Sequence, residues 1–328
     1  DKLAAEFADE LDTLGVRVTN LEKKADNVKI SGETKLRYWA YDGDSKKSKG
    51  SDSLVQRSRV WVKGAINDDW TYSGMLENIQ TYSESNSGEE TTKFQRAYVN
   101  GKIGGVKVQA GRSEFCDFYG GVIYDTRWDG VFASYGKDVK LTLGAGKGAD
   151  GDGTSGKTKT YKAEDMYSAE LAAKVGVVDA KAAYYKFEDI AVGVNDEIWT
   201  VGIGLPVAKD LKLSGVYLSA DVDGYNGDDD GFVIGLDYKG AKATKAGTWG
   251  VWAKYFDQGY GTYVAPTFEF ENAFGGTAKG NEGFKGYGVG ANYTFAKNIV
   301  GAVKYYDLEA KKGSKDGETL YAELNFMF

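Results

Sequence analysis

The chain has 328 residues, a formal net charge of -7, a pI near 5.0, no histidine, one cysteine and a mean hydropathy of -0.44. An acidic balance disfavours a nucleic-acid binder, the missing histidine removes the commonest general base and zinc ligand, and one thiol excludes an internal disulfide framework. No stretch approaches 18 uninterrupted apolar residues, which excludes helical membrane spans but not strands that show lipid only one face.

Residues 1–28 read as a helix. Ala4, Phe7, Leu11, Leu14, Val18, Leu21, Ala25 and Val28 are spaced alternately by three and four. That is the narrow seam of a coiled coil, where a helix on a globular core shows a wider stripe. Arg17 and Glu22 flank Val18 and Leu21 at the positions where interhelical ion pairs form. This R-h-x-x-h-E run (h apolar) resembles a signature of parallel three-stranded coiled coils. It predicts a homotrimeric stalk over residues 1–27, with a helix lying on its own domain as the alternative.

From about Val28 the apolar period changes to 2 and stays there. In "VKLTLGA" (139–145), Val139, Leu141, Leu143 and Ala145 oppose Lys140, Thr142 and Gly144; "GFVIGLDY" (231–238) repeats the pattern. Strand starts fall near residues 28, 53, 69, 93, 105, 126, 138, 161, 178, 195, 211, 230, 247, 282, 299 and 315. Short turn signals, such as Gly104-Gly105 and Lys209-Asp210, alternate with long polar segments at 42–53, 84–92, 147–160, 223–231 and 259–279. Loops sorted by length in this way predict an all-β transmembrane barrel of about 16 antiparallel strands over 28–328, in outer-membrane lipid, with the stalk and the short turns in the periplasm.

The last strand, "LYAELNFMF", would zip to the first and leave no free edge. Leu324, Phe326 and Phe328 would face lipid, and a terminal Phe after alternate apolar residues resembles the signal read by the barrel-assembly machinery.

A barrel of this size leaves an aqueous channel whose selectivity depends on charges at its narrowest point. Every arginine lies at or before residue 127. Arg37, Arg57, Arg59, Arg96 and Arg127 alternate with apolar or small residues and are expected to point inward, since a charge facing mid-bilayer costs roughly 2–4 kcal/mol. Arg112 is out of phase with Lys107 and Gln109 and would need a bulge after Gly111 to join them. The stretch "SEFCDFYGGVIYDTRW" (113–128) breaks the alternation and carries Glu114, Asp117 and Asp125. It resembles the inward-folded third loop of general porins, which sets acids against a basic wall. The arginines could instead pair with lumenal acids such as Glu33 and Glu77, and both arrangements are compatible. "GADGDGTSG" and "GYNGDDDG" do not reproduce a calcium loop, and Cys116 lacks a histidine partner for nucleophilic work, so no metal, cofactor or enzymatic activity is expected.

The run "LAAEFADELDTLGVRVTNLEKKADNVKISGETKLRY" leading straight into a barrel resembles the OmpM-type tethering porins of Firmicutes with an outer membrane, the junction "LEKKADNVKISG" being its most specific part. The resemblance implies a trimer that passes small hydrophilic solutes and ties the outer membrane to cell-wall polymer through an S-layer-homology domain. That domain is not found in these residues, so contact with the polymer is expected only through a segment outside them. A structural anchor with little channel activity is the alternative role.

Overall fold

The computed structural model describes residues 7, 10, 11, 14, 15, 27–43, 53–82, 88–149, 165–191, 193–264 and 283–328. Among them stand sixteen strands: β1 Val28–Gly43, β2 Ser53–Ala65, β3 Thr71–Thr81, β4 Gly88–Ile103, β5 Val106–Cys116, β6 Asp125–Gly136, β7 Val139–Gly148 and β8 Asp165–Val175, followed by β9 Val178–Ala191, β10 Val194–Ala208, β11 Leu211–Val222, β12 Asp230–Lys239, β13 Trp249–Gly259, β14 Gly283–Ala296, β15 Ile299–Ala310 and β16 Asp316–Met327. Each pairs antiparallel with its neighbours in sequence, and β1 also pairs with β16, so the sheet closes.

Closure follows from side-chain alternation on both end strands. Leu36 pairs with Leu324 and Tyr38 with Ala322 on one face, Arg37 with Glu323 and Trp39 with Tyr321 on the other. The terminal Phe328 exchanges backbone hydrogen bonds with Gly32 in both directions, at 2.8 and 2.9 Å. Its ring occupies the space a Cβ on Gly32 would need, so glycine is what allows the seam to close flat. In a bilayer an unpaired edge would leave a row of polar groups unsatisfied, each costing several kcal/mol.

One end of the barrel carries tight turns. Gly104, Asp210 and Asn298 hold left-handed backbone there (φ 57°, 61° and 65°), which these three residue types tolerate best. The connection 240–248 is an exception, longer than the predicted two- or three-residue turns and held by Asn292 Oδ1, which accepts from Ala241 N at 2.7 Å. β4 starts five residues earlier and β8 four residues later than the pattern predicts, both beside the long polar segments where alternation is weakest.

The predicted coiled coil has no support in this fold. Phe7, Leu11 and Leu14 are helical and exposed, but no helix long enough to form a stalk stands among the described residues. Arg17, Val18, Leu21 and Glu22 lie outside them.

Along the strands, apolar residues alternate between an exposed outer belt and the lumen. Trp199, Val201 and Ile203 are more than half exposed, while Ile198 and Thr200 between and beside them are buried. Toward β8–β15 the lumen is packed rather than empty. Phe115, Tyr124 and Trp128 join Tyr185, Phe187, Leu218, Phe256 and Tyr306 in one apolar cluster. On β14 the inward positions Gly288 and Gly290 make room for rings to lie flat on the wall, Tyr306 over the first and Trp252 over the second. A Cβ at Gly290 would overlap the Trp252 indole. Gly290→Val is therefore expected to displace that ring and cost about 1–3 kcal/mol through overpacking, read as a lower unfolding midpoint in detergent with altered tryptophan fluorescence.

Candidate functional site

The lumenal faces of β1, β2 and β16 bring cations and carboxylates together at mid-strand. Lys35 and Arg57 are register partners, as are Glu33 and Arg59, and Arg59 continues across to Glu77 on β3. Arg57 lies 3.3 Å from Glu33, Lys35 lies 3.4 Å from Glu323, and Arg59 donates to Glu77 at 2.6 Å. Glu77 is 2% exposed and takes a second donor, Gln95 Nε2, at 2.5 Å. A register shift opposite Met75 and Leu76 lets β4 turn both Gln95 and Arg96 to this side. Arg96 reaches Glu114 at 2.5 Å and lies 5.5 Å from the centre of the Trp61 ring.

Arg37 differs from the others. It makes no ion pair among the described residues, and its guanidinium lies 4.8 Å from the centre of the Trp39 ring. Glu33, Glu77 and Glu323 offset Arg57, Arg59 and Lys35, so Arg37 carries the uncompensated charge of this wall. Both readings of the arginines thus apply to different residues: Arg57, Arg59 and Arg96 are paired, and Arg37 is the surplus cation.

The loop 117–124 between β5 and β6 folds into the barrel. Asp117 builds it. Its carboxylate accepts from Tyr119 N at 2.8 Å, Ile123 N at 2.6 Å and Tyr124 N at 2.9 Å, and it is 3% exposed. Burial pushes this carboxyl above its usual range, against the three N–H donors that favour its charged form. The tip is fastened to the far wall. Lys181 Nζ on β9 donates to Phe118 O at 2.5 Å, and the Tyr119 hydroxyl lies 3.0 Å from Thr200 Oγ1 on β10. Val264 N, after β13, donates to Ile123 O at 2.9 Å, so the residues just past β13 also meet the loop.

Several expected roles change with these positions. Asp117 is not an acid facing the passage; its oxygens are used within the loop. Arg112 does not turn inward. The pairing stays in register through Gly111, placing Arg112 beside Ala110 and opposite Asp129 on the face that also carries exposed Val131. There it forms a two-point pair with Asp129, at 2.7 and 2.6 Å, and the guanidinium holds the Asp129 carboxylate in place. Arg127 is buried opposite Glu114, on the other side of the β5–β6 ribbon from Phe115 and Trp128. Asp125 closes the ribbon as the register partner of Cys116, which is exposed. Leu324, Phe326 and Phe328 fall on or at the end of β16, with Phe326 and Phe328 exposed.

Residues that pattern reading passed over include Lys181, which holds the loop, and Lys304, whose Nζ lies 4.8 Å from the centre of the Tyr321 ring. Inward parity would have found both: Lys181 is in phase with Ala183 and Tyr185, Lys304 with Tyr306. Nothing in the sequence signals the hydrogen bond from Val264. Among the described residues no group of three or more Cys, Asp or Glu could hold a metal ion, and Asp228 is instead paired with Lys311 at 2.6 Å.

A closed barrel of sixteen antiparallel strands with a loop folded onto its inner wall is the porin fold. No family model and no curated protein sequence matches the chain. Among solved structures it is similar to OmpF of Salmonella typhi, determined in complex with daunomycin, at 14% identity and a TM-score of 0.58 over 91% of this chain and 97% of that one. It is also similar to engineered variants of the Rh. blastica porin. One of these has 15% identity and a TM-score of 0.56, over 92% of this chain and 100% of its own, and another has 16% and 0.57 over the same shares.

Proposed function

We propose that this chain is an outer-membrane porin through which small hydrophilic solutes and ions diffuse, with a preference for anions set chiefly by Arg37. The observation that carries the reading is the placement of the loop. Its fastening to β9 and β10 leaves the passage on the side of β1, β2 and β16, next to Arg37, which makes no ion pair among the described residues. A charge about 6 Å from a passing ion contributes roughly 0.7–3 kcal/mol for effective dielectric constants between 80 and 20, enough to bias selectivity several-fold. No enzymatic role is proposed.

The porin works as a homotrimer in this reading. Arg112 and Asp129 on the outer face, with Thr34 and Ser58 bonded to each other at 3.0 Å, would be costly against hydrocarbon and are better covered by a neighbouring copy. A coiled-coil seam over residues 1–27, expected from the sequence spacing alone, would add a periplasmic trimer contact. Tethering to cell-wall polymer, and insertion through the C-terminal Leu324, Phe326 and Phe328, follow from the resemblance to tethering porins. The rival role, an anchor with a closed lumen, draws on the apolar packing toward β8–β15.

Planar-bilayer recordings separate the two. The purified chain is expected to conduct in KCl, and its reversal potential across a salt gradient to favour chloride. Arg37→Gln should move that potential toward the cation side by the equivalent of a several-fold change in permeability ratio. Absence of conductance would support the anchor, and an unmoved potential would remove Arg37 from the mechanism.

A further inference from the structure

We propose, resting on the channel reading, that the lumen holds a stacking subsite for small carboxylates that bear an aromatic ring. Trp39 and Tyr321 are register partners on the lumenal faces of β1 and β16, with ring centres 5.2 Å apart and planes inclined at 58°. Cations flank them on both sides: the Arg37 guanidinium lies 4.8 Å from the centre of the Trp39 ring, and Lys304 Nζ the same distance from that of Tyr321. Farther round the wall, Trp252 and Tyr306 form another ring pair with centres 6.0 Å apart.

A passage for hydrated inorganic ions gains nothing from large rings, because an apolar face offers a hydrated ion no replacement for its water. Rings alternating with cations suit a different solute, one with a flat apolar face and a negative group at its edge. The ring would lie against Trp39 while the carboxylate meets Arg37, which makes no ion pair among the described residues and whose planar fork matches a carboxylate. The register sets this order. Trp39 lies two residues from Arg37 toward the end with the long connections, so a solute entering there meets the rings before the wall cations.

The test compares benzoate, which has ring and charge, with acetate, which has the charge alone, and benzyl alcohol, which has the ring alone. Saturation-transfer NMR on the full chain in detergent reports binding directly, and KCl conductance of the same preparation reports whether the channel reading stands. Benzoate is expected to bind about 2- to 10-fold more tightly than either comparison compound, the factor that an aromatic pair supplies. Trp39→Leu should bring benzoate down to the acetate value, and Trp39→Phe should keep most of the difference. Equal binding of benzoate and acetate by the native chain, or benzoate binding untouched by Trp39→Leu, would overturn the subsite whether or not the protein conducts.

Discussion

Replacing Arg59 by alanine is expected to destabilise the barrel by about 3–5 kcal/mol, more than any other change to the cationic wall. The reason lies in its partner. Glu77 is 2% exposed and relies on Arg59 at 2.6 Å and Gln95 at 2.5 Å. Removing the guanidinium leaves a buried carboxylate with one neutral donor, and breaking a buried pair from one side costs far more than the pair itself contributes. Arg59→Met combined with Glu77→Leu should recover most of the loss, because the orphaned charge goes too. Urea unfolding in detergent checks both variants. A single variant as stable as the native chain would mean that Glu77 is hydrated from the lumen, and that the ion pair does not organise the wall. Arg37→Gln, which strands no acid, should leave the unfolding midpoint where it is.

That contrast marks where sequence reasoning ends. Parity places Arg37, Arg57 and Arg59 on one side of their strands, and the observed register agrees. What alternation cannot supply is which strand neighbour stands at the same height. Pairing between β1 and β2 sets Glu33 opposite Arg59, and that alignment decides which arginine keeps a free charge. Arg112 fails for a related reason: parity by itself says outward, and only an assumed bulge turned it inward. The expectation that charges avoid lipid does not hold for Arg112, whose charge is met on the outer face by Asp129.

The barrel itself was legible because period 2 and sorted loop lengths are global properties, repeated over sixteen strands, so local errors average out. Fourteen of the strand starts fall within two residues of the pattern. The loop was legible only as a break in that pattern. Its acids drew attention through their charge, yet Asp117 serves the backbone of the loop, as aspartates in tight turns commonly do. The features that fasten the loop, Lys181 on β9 and Val264 after β13, are distant in sequence and carry no local signature.

Cys116 offers the most direct measurement. It is the sole cysteine, exposed, one residue before the loop, and it lines a lumenal cavity of about 530 Å³ with Lys107, Phe118 and Thr142. A bulky, membrane-impermeant methanethiosulfonate added at pH 8.5 would form a mixed disulfide with this thiol and release a sulfinate, leaving a charged group beside the passage. If solutes travel between the loop and the wall of β1 and β2, the current through single channels should fall sharply on modification, recover with a reducing agent, and stay constant in Cys116→Ser. A complete adduct by mass spectrometry with no change in current would contradict a water-filled passage beside that loop.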